Sequence, residues 1–183
     1  MVGMKSYCLL NRLFLLGIVL FLSGCVSIKP GGVKSGKNLV ETFFVGDDGT
    51  QYFIKPLLFK SETNQQLIID FTFRYKDRIK DSAFVNMSFL NTEIIKNVDS
   101  LKIISGNNSM VLENVKSLFV EKIQSEYKSR YSTKGSLSDI DKLFNNNDWT
   151  ILVYRQNNIS RYITPKETKK KIGKLNESIF VLF

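Results

Sequence analysis

A run of strict alternation decides most of what this chain can become. Leu67, Ile69, Phe71, Phe73 and Tyr75 fall on one side of an extended segment, and Ile68, Asp70, Thr72 and Arg74 on the other. Side chains in a strand point to opposite faces with period two, so this segment predicts a strand buried on one face. Ala83, Val85, Met87 and Phe89 repeat the pattern against Asn86 and Ser88. Upstream, Leu39 to Val45 and Gln51 to Lys60 form a further pair, joined by Gly46-Asp47-Asp48-Gly49, which predicts a tight hairpin turn. Pro56 predicts an edge strand or a bulge, because it has no amide hydrogen to give a neighbour. Thr63-Asn64-Gln65 and Lys76 to Asp81 supply the next turns. Connections this short leave no room for βαβ crossovers, so the strands form an antiparallel meander.

Further along, the pattern mixes. Leu101 to Ile104 predicts a short strand, and Gly106-Asn107-Asn108-Ser109 a turn. Residues 110–131 fit two readings. Val111, Val115, Leu118, Phe119 and Ile123 share a helical face, and short strands with Leu118-Phe119-Val120 in the core fit almost as well; the strands are favoured here. Leu137 to Asn146 predicts a short helix with Ser138 as its cap and Ile140, Leu143 and Phe144 on its apolar face. Trp149 to Arg155 and Ile159 to Ile163 form a hairpin across Gln156-Asn157-Asn158. Thr164-Pro165-Lys166-Glu167 has the form of a capping box with proline at the first helical position. The helix it starts carries Ile172, Leu175 and Ile179 on one face, and Ile179 to Phe183 ends the chain as a closing strand. The fold class is α+β: an antiparallel sheet in the N-terminal half, one or two short helices in the C-terminal third, and one β-rich domain over residues 39–183.

The first residues have a different character. Lys5 and Arg12 precede an apolar stretch, Leu13 to Leu22, followed by Leu22-Ser23-Gly24-Cys25. That stretch is well short of the roughly 20 residues a helix needs to span a bilayer, and it has the three-part form of a signal peptide. Leu22-Ser23-Gly24-Cys25 resembles the lipobox of bacterial lipoproteins, with each position filled as that family prefers. The resemblance implies cleavage before Cys25, so that residues 1–24 are a signal peptide. It implies a diacylglycerol thioether on the Cys25 sulfur and an acyl chain, such as palmitate, on its new amino group. Two or three chains hold a protein stably on a bilayer, where one does so only marginally. Cys8 would leave with the signal and Cys25 would be blocked, so the folded domain would carry no free thiol and no disulfide. Val26 stands where an Asp would retain an enteric lipoprotein in the inner membrane, and residues 26–38 contain no acid of the kind that sends Bacteroidetes lipoproteins to the cell surface. The expected location is the periplasmic face of the outer membrane, or the extracytoplasmic face of the cytoplasmic membrane in a Gram-positive cell.

Residues 25–38 are the lipidated cysteine and a Gly-, Lys- and Ser-rich tether, with Lys29, Lys34 and Lys37 suited to anionic headgroups. Gly31 to Lys37 matches a phosphate-binding loop, but Asn38 lacks the hydroxyl that would hold Mg²⁺ and no strand precedes it. The chain contains no histidine, which removes Ser-His-Asp and Cys-His nucleophile systems and every histidine metal site. Oxygen ligands remain. The densest acids, Asp47 with Asp48 and Asp139 with Asp141, lack EF-hand spacing and suit a turn and a helix start. No metal and no cofactor is expected.

Asp70 is the acid that most invites a catalytic role, as one half of a carboxylate pair for glycan hydrolysis, although alternation places it on the solvent face with no identifiable partner. The formal net charge of +9 draws attention to two basic clusters. Arg74, Lys76, Arg78 and Lys80 follow a strand whose aromatics belong to the core, and export argues against nucleic acid. Lys166, Lys169, Lys170, Lys171 and Lys174 line the last helix and suit a solvated face or an acidic partner. Asp81-Ser82-Ala83 and Asp99-Ser100-Leu101 look like the O-glycosylation sites of exported Bacteroidetes proteins.

No catalytic residue is assigned. The sequence therefore predicts a membrane-anchored envelope lipoprotein with a non-catalytic binding or assembly domain. Its partners would be the bilayer, through Cys25, and an envelope protein or glycan met at a sheet edge or at the last helix. The alternatives are an immunity or inhibitor lipoprotein against an envelope-acting toxin, and a carboxylate-dependent hydrolase of envelope glycans.

Overall fold

The computed structural model describes residues 39–76, 79–80, 82–156 and 158–180. The lipobox, the tether, Arg78, Asp81 and residues 181–183 lie outside the described residues; of the expected closing strand, Ile179 and Phe180 are described and continue from the last helix as a turn rather than a strand. The alternating segments become β1 (Val40–Phe44), β2 (Thr50–Lys60), β3 (Gln66–Lys76), β4 (Ile79–Lys80) and β5 (Ser82–Asn91). They are followed by β6 (Ser100–Ser105), β7 (Asn108–Leu112), β8 (Lys116–Ile123) and β9 (Glu126–Ser136). Helix α1 (Leu137–Phe144), the hairpin β10 (Trp149–Arg155) with β11 (Asn158–Ile163), and helix α2 (Lys166–Ser178) complete the chain. The fold is α+β, and residues 110–131 are strands.

All the strands join one antiparallel sheet in the order β7-β6-β10-β11-β2-β3-β5-β9-β8, with β1 also on β2 and β4 on β3. The meander read from the sequence covers β1, β2, β3 and β5. The next two hairpins go to opposite ends, β6–β7 beyond β10 and β8–β9 beside β5. Pro56 lies at the bulge between Ile54 and Leu57 in the pairing of β2 with β3. At that point the other side of β2 changes partner, from β1 along Thr50–Ile54 to β11 at Lys60. A residue without an amide hydrogen costs least there.

The sheet curls until β7 reaches β9. A Cβ on Gly135 would stand 2.8 Å from Leu112 Cδ2 and 3.2 Å from Met110 Sδ, so a side chain there would have to push Leu112 and Met110 aside. The concave side is filled. Leu67, Ile69, Phe71 and Phe73 of β3, and Ala83, Val85, Met87 and Phe89 of β5, are buried as their alternation requires. Trp149 lies among Phe59, Phe71 and Phe144, with ring centroids 6.0, 6.3 and 4.9 Å away. Phe180 stacks on Phe144 at 3.9 Å. Burying rings of this size stabilises the fold by about 3 kcal/mol each.

Both helix starts differ from the sequence expectation. Ser136, not Ser138, caps α1, accepting from the Asp139 amide at 3.4 Å. At α2 no side-chain cap forms, and Pro165 takes the cap position with an extended backbone. The Thr164 hydroxyl is used elsewhere: it accepts from the Trp149 amide at 2.7 Å and donates to the Trp149 carbonyl at 2.8 Å. Those backbone groups are buried, where losing a partner is costly, whereas water can satisfy an exposed helix start.

Two measurements test this core. Phe144→Ala should lower stability in urea unfolding by about 3–5 kcal/mol. Phe84→Ala, whose ring is exposed beneath Lys134, should cost less than about 1 kcal/mol. Burial pushes the phenols of Tyr131 and Tyr162 above their usual 10.0, against a smaller opposing pull from the Arg155 charge. Their folded pKa values are raised, so this stabilisation is complete below the unfolded value and lost as pH rises through the folded one. Stability should therefore fall above about pH 10, and Tyr162→Phe should soften that fall.

Candidate functional site

The main run of the sheet ends in β7 and β8, and the short strands β1 and β4 each pair with one neighbour only. β7 has five residues, with Val111 as its exposed large apolar side chain. β8 has eight, all exposed. Leu118, Phe119, Val120 and Ile123 are 52, 42, 43 and 40% accessible. The expectation that Leu118-Phe119-Val120 lies in the core is therefore corrected. β9 is the last strand the curl can cover. Its inward row is already occupied: Tyr131 donates to the Ile95 carbonyl at 2.5 Å, Thr133 to the Glu113 carbonyl at 2.5 Å, and Ser129 accepts from the Ile95 amide at 3.3 Å. β8 extends past that cover.

The pairing of β8 with β9 has a bulge between Ser117 and Phe119. Beyond it, Phe119 lies opposite Arg130 and Glu121 opposite Lys128. The Lys128 ammonium sits 5.7 Å from the Phe119 ring centre and 3.0 Å from the Glu121 carboxylate. A bulge and lysines are devices that blunt a sheet edge against indiscriminate pairing. β8 carries both, and it keeps an apolar centre.

Asp70 stands on the convex face, as alternation placed it, and is engaged. Arg130 Nη2 donates to one carboxylate oxygen at 2.9 Å, and Asn86 Nδ2 to the other at 2.8 Å. Arg130 Nη1 donates to Ser88 at 2.9 Å. These residues come from β3, β5 and β9, so the cluster ties three strands together. A partly buried ion pair with its lone pairs satisfied is a structural arrangement, and no second acid joins it among the described residues.

The other candidates are dispersed. Arg74 donates to Gln51 at 2.7 Å and to Asp48 at 3.3 Å, which occupies one acid of the Gly46–Gly49 turn. Phe71 and Phe73, the aromatics preceding this basic cluster, are buried. On α2, Lys169 pairs with Asp148 at 2.7 Å and Lys170 with Glu167 at 3.7 Å, which leaves the basic face partly neutralised. Asp139 pairs with Lys142 at 3.0 Å, and no metal-binding group of acids occurs among the described residues. Ser82 is exposed at the start of β5, whereas Ser100 is half-buried within β6. An open pocket of about 550 Å³ is lined by Ile104, Gly106, Asn146, Asp148, Thr150, Arg161, Ile163, Thr164 and Lys169. Its one carboxylate, Asp148, is held by Lys169. No family model, curated protein or solved structure matches this chain.

Arg130→Ala should destabilise the domain by about 2 kcal/mol, because it strips a half-buried carboxylate of its cation. A double-mutant cycle with Asp70→Asn should give a clear coupling energy. Additive losses would show that the two side chains act independently.

Proposed function

We propose that this chain is a cell-envelope lipoprotein whose domain binds or assembles with a protein partner. Acylated Cys25 holds it on the membrane. The membrane is the outer membrane, with the domain in the periplasm, or the cytoplasmic membrane of a Gram-positive cell with the domain outside. The observation that carries the binding part is β8: an eight-residue sheet edge, exposed throughout and apolar at its centre. Such an edge offers unpaired backbone groups for hydrogen bonding and side-chain sites on both faces, which is how extended segments are recognised.

The acids offer less to a hydrolase. Asp70 and Asp148 are each engaged by a basic side chain, whereas such chemistry needs a pair of carboxylates free to act on the substrate. An immunity or inhibitor role would use the same edge with a toxin as partner.

The anchor and the binding role are tested separately. Cys25→Ala should abolish incorporation of labelled fatty acid and leave the uncut precursor; a variant that still labels and matures contradicts the anchor. A photoreactive residue at position 118, in the native membrane, should capture a protein stoichiometrically. Capture of nothing contradicts the binding role.

A further inference from the structure

We propose that the partner of β8 is β8 of a second copy, paired antiparallel about a two-fold axis through Phe119. This deepens the assembly reading above and rests on it. The bulge at Leu118 shifts the strand, so that Lys116, Phe119 and Glu121 face the same side, opposite Ser132, Arg130 and Lys128 of β9. When the free edge of β8 meets itself with Phe119 opposite Phe119, Lys116 of each copy falls opposite Glu121 of the other. Ser117 falls opposite Val120 on the other face. One aromatic pair is thus flanked by two ion pairs, and all contacts are reciprocal, as an isologous interface requires.

Neighbouring registers lack this match. Centring on Lys116 or on Glu121 sets like charges opposite each other, and centring on Val120 sets Phe119 against Glu121. Without the bulge, Lys116 and Glu121 would lie on opposite faces of the strand. The bulge therefore makes the charge pattern self-complementary. β7 and β1 have five residues each and offer no such pattern. Each domain is basic, so the copies repel at long range. Anchoring on one membrane raises their effective concentration and favours a weak edge pairing.

Disulfide trapping of the full-length chain in its native membrane tests this. Phe119 is exposed, so Phe119→Cys leaves the core intact. Residues directly opposite across antiparallel strands have Cβ atoms about 5 Å apart, close enough to cross-link with small adjustment. The expected result is a disulfide-linked homodimer from Phe119→Cys and none from Ile123→Cys, which the register carries away from its counterpart. Adding Lys116→Glu to Phe119→Cys should reduce trapped dimer about fivefold, and adding Glu121→Lys as well should restore it. Equal trapping at positions 119 and 123, absence of trapping, trapping to a different protein, or indifference to the charge changes would each overturn the proposal. Fatty-acid labelling of the same samples reports the state of Cys25 independently, so loss of the anchor and loss of the pairing are told apart.

Discussion

The structure depends on Trp149. Its ring is wholly buried, and its indole Nε1 donates to the carbonyls of Leu143 at 3.1 Å and Asn146 at 2.7 Å, where α1 ends. Ser105 donates to the same two carbonyls from β6. The backbone of Trp149 is held on both sides by the Thr164 hydroxyl, just before α2. One residue thereby joins the start of β10 to both helices and to the aromatic residues of β2 and β3. The carbonyls at a helix end need partners when buried, and a tryptophan is one of few side chains that can supply a donor and fill a core at once.

This anchoring fixes how far the sheet can close. With Trp149 and α1 seated inside, β7 folds over as far as Gly135 and stops there. The concave side is then full, and the sheet cannot also cover β8. The exposed edge follows from the packing rather than from any feature of β8 alone. A strand left outside a filled core would be a hazard if flat and wholly apolar, but the bulge, Lys116, Glu121 and Lys122 restrict which strands can join it. On the convex face the Asp70–Arg130–Ser88 cluster holds β3, β5 and β9 in register, so β8 has a firm strand behind it.

The first strands were legible because alternation is local: β3 and β5 could be read residue by residue, and so could the role of Pro56. Both helices are also legible in the sequence, but their caps are not. Ser138 and the Thr164–Glu167 pattern satisfied the rules for helix starts, while the actual use of Thr164 depends on Trp149, fifteen residues earlier in the chain and adjacent only in the fold. The exposure of β8 is hidden from the sequence for a similar reason. Leu118, Phe119 and Val120 are apolar, and an apolar run predicts a core; that β9 is the last strand to be covered depends on the curl of the whole sheet. The place of Asp70 on the solvent face was legible, but its partner Arg130 was not, because it lies 60 residues away.

Edge pairing of β8 is tested most simply by hydrogen–deuterium exchange of the intact chain on its native membrane, compared with the same chain diluted in detergent. Half of the β8 amides point away from β9 and have no strand partner among the described residues. If β8 pairs with a second copy, these amides are protected on the membrane and exchange rapidly on dilution. Rapid exchange in both states would mean that the edge stays open to water, and would contradict it.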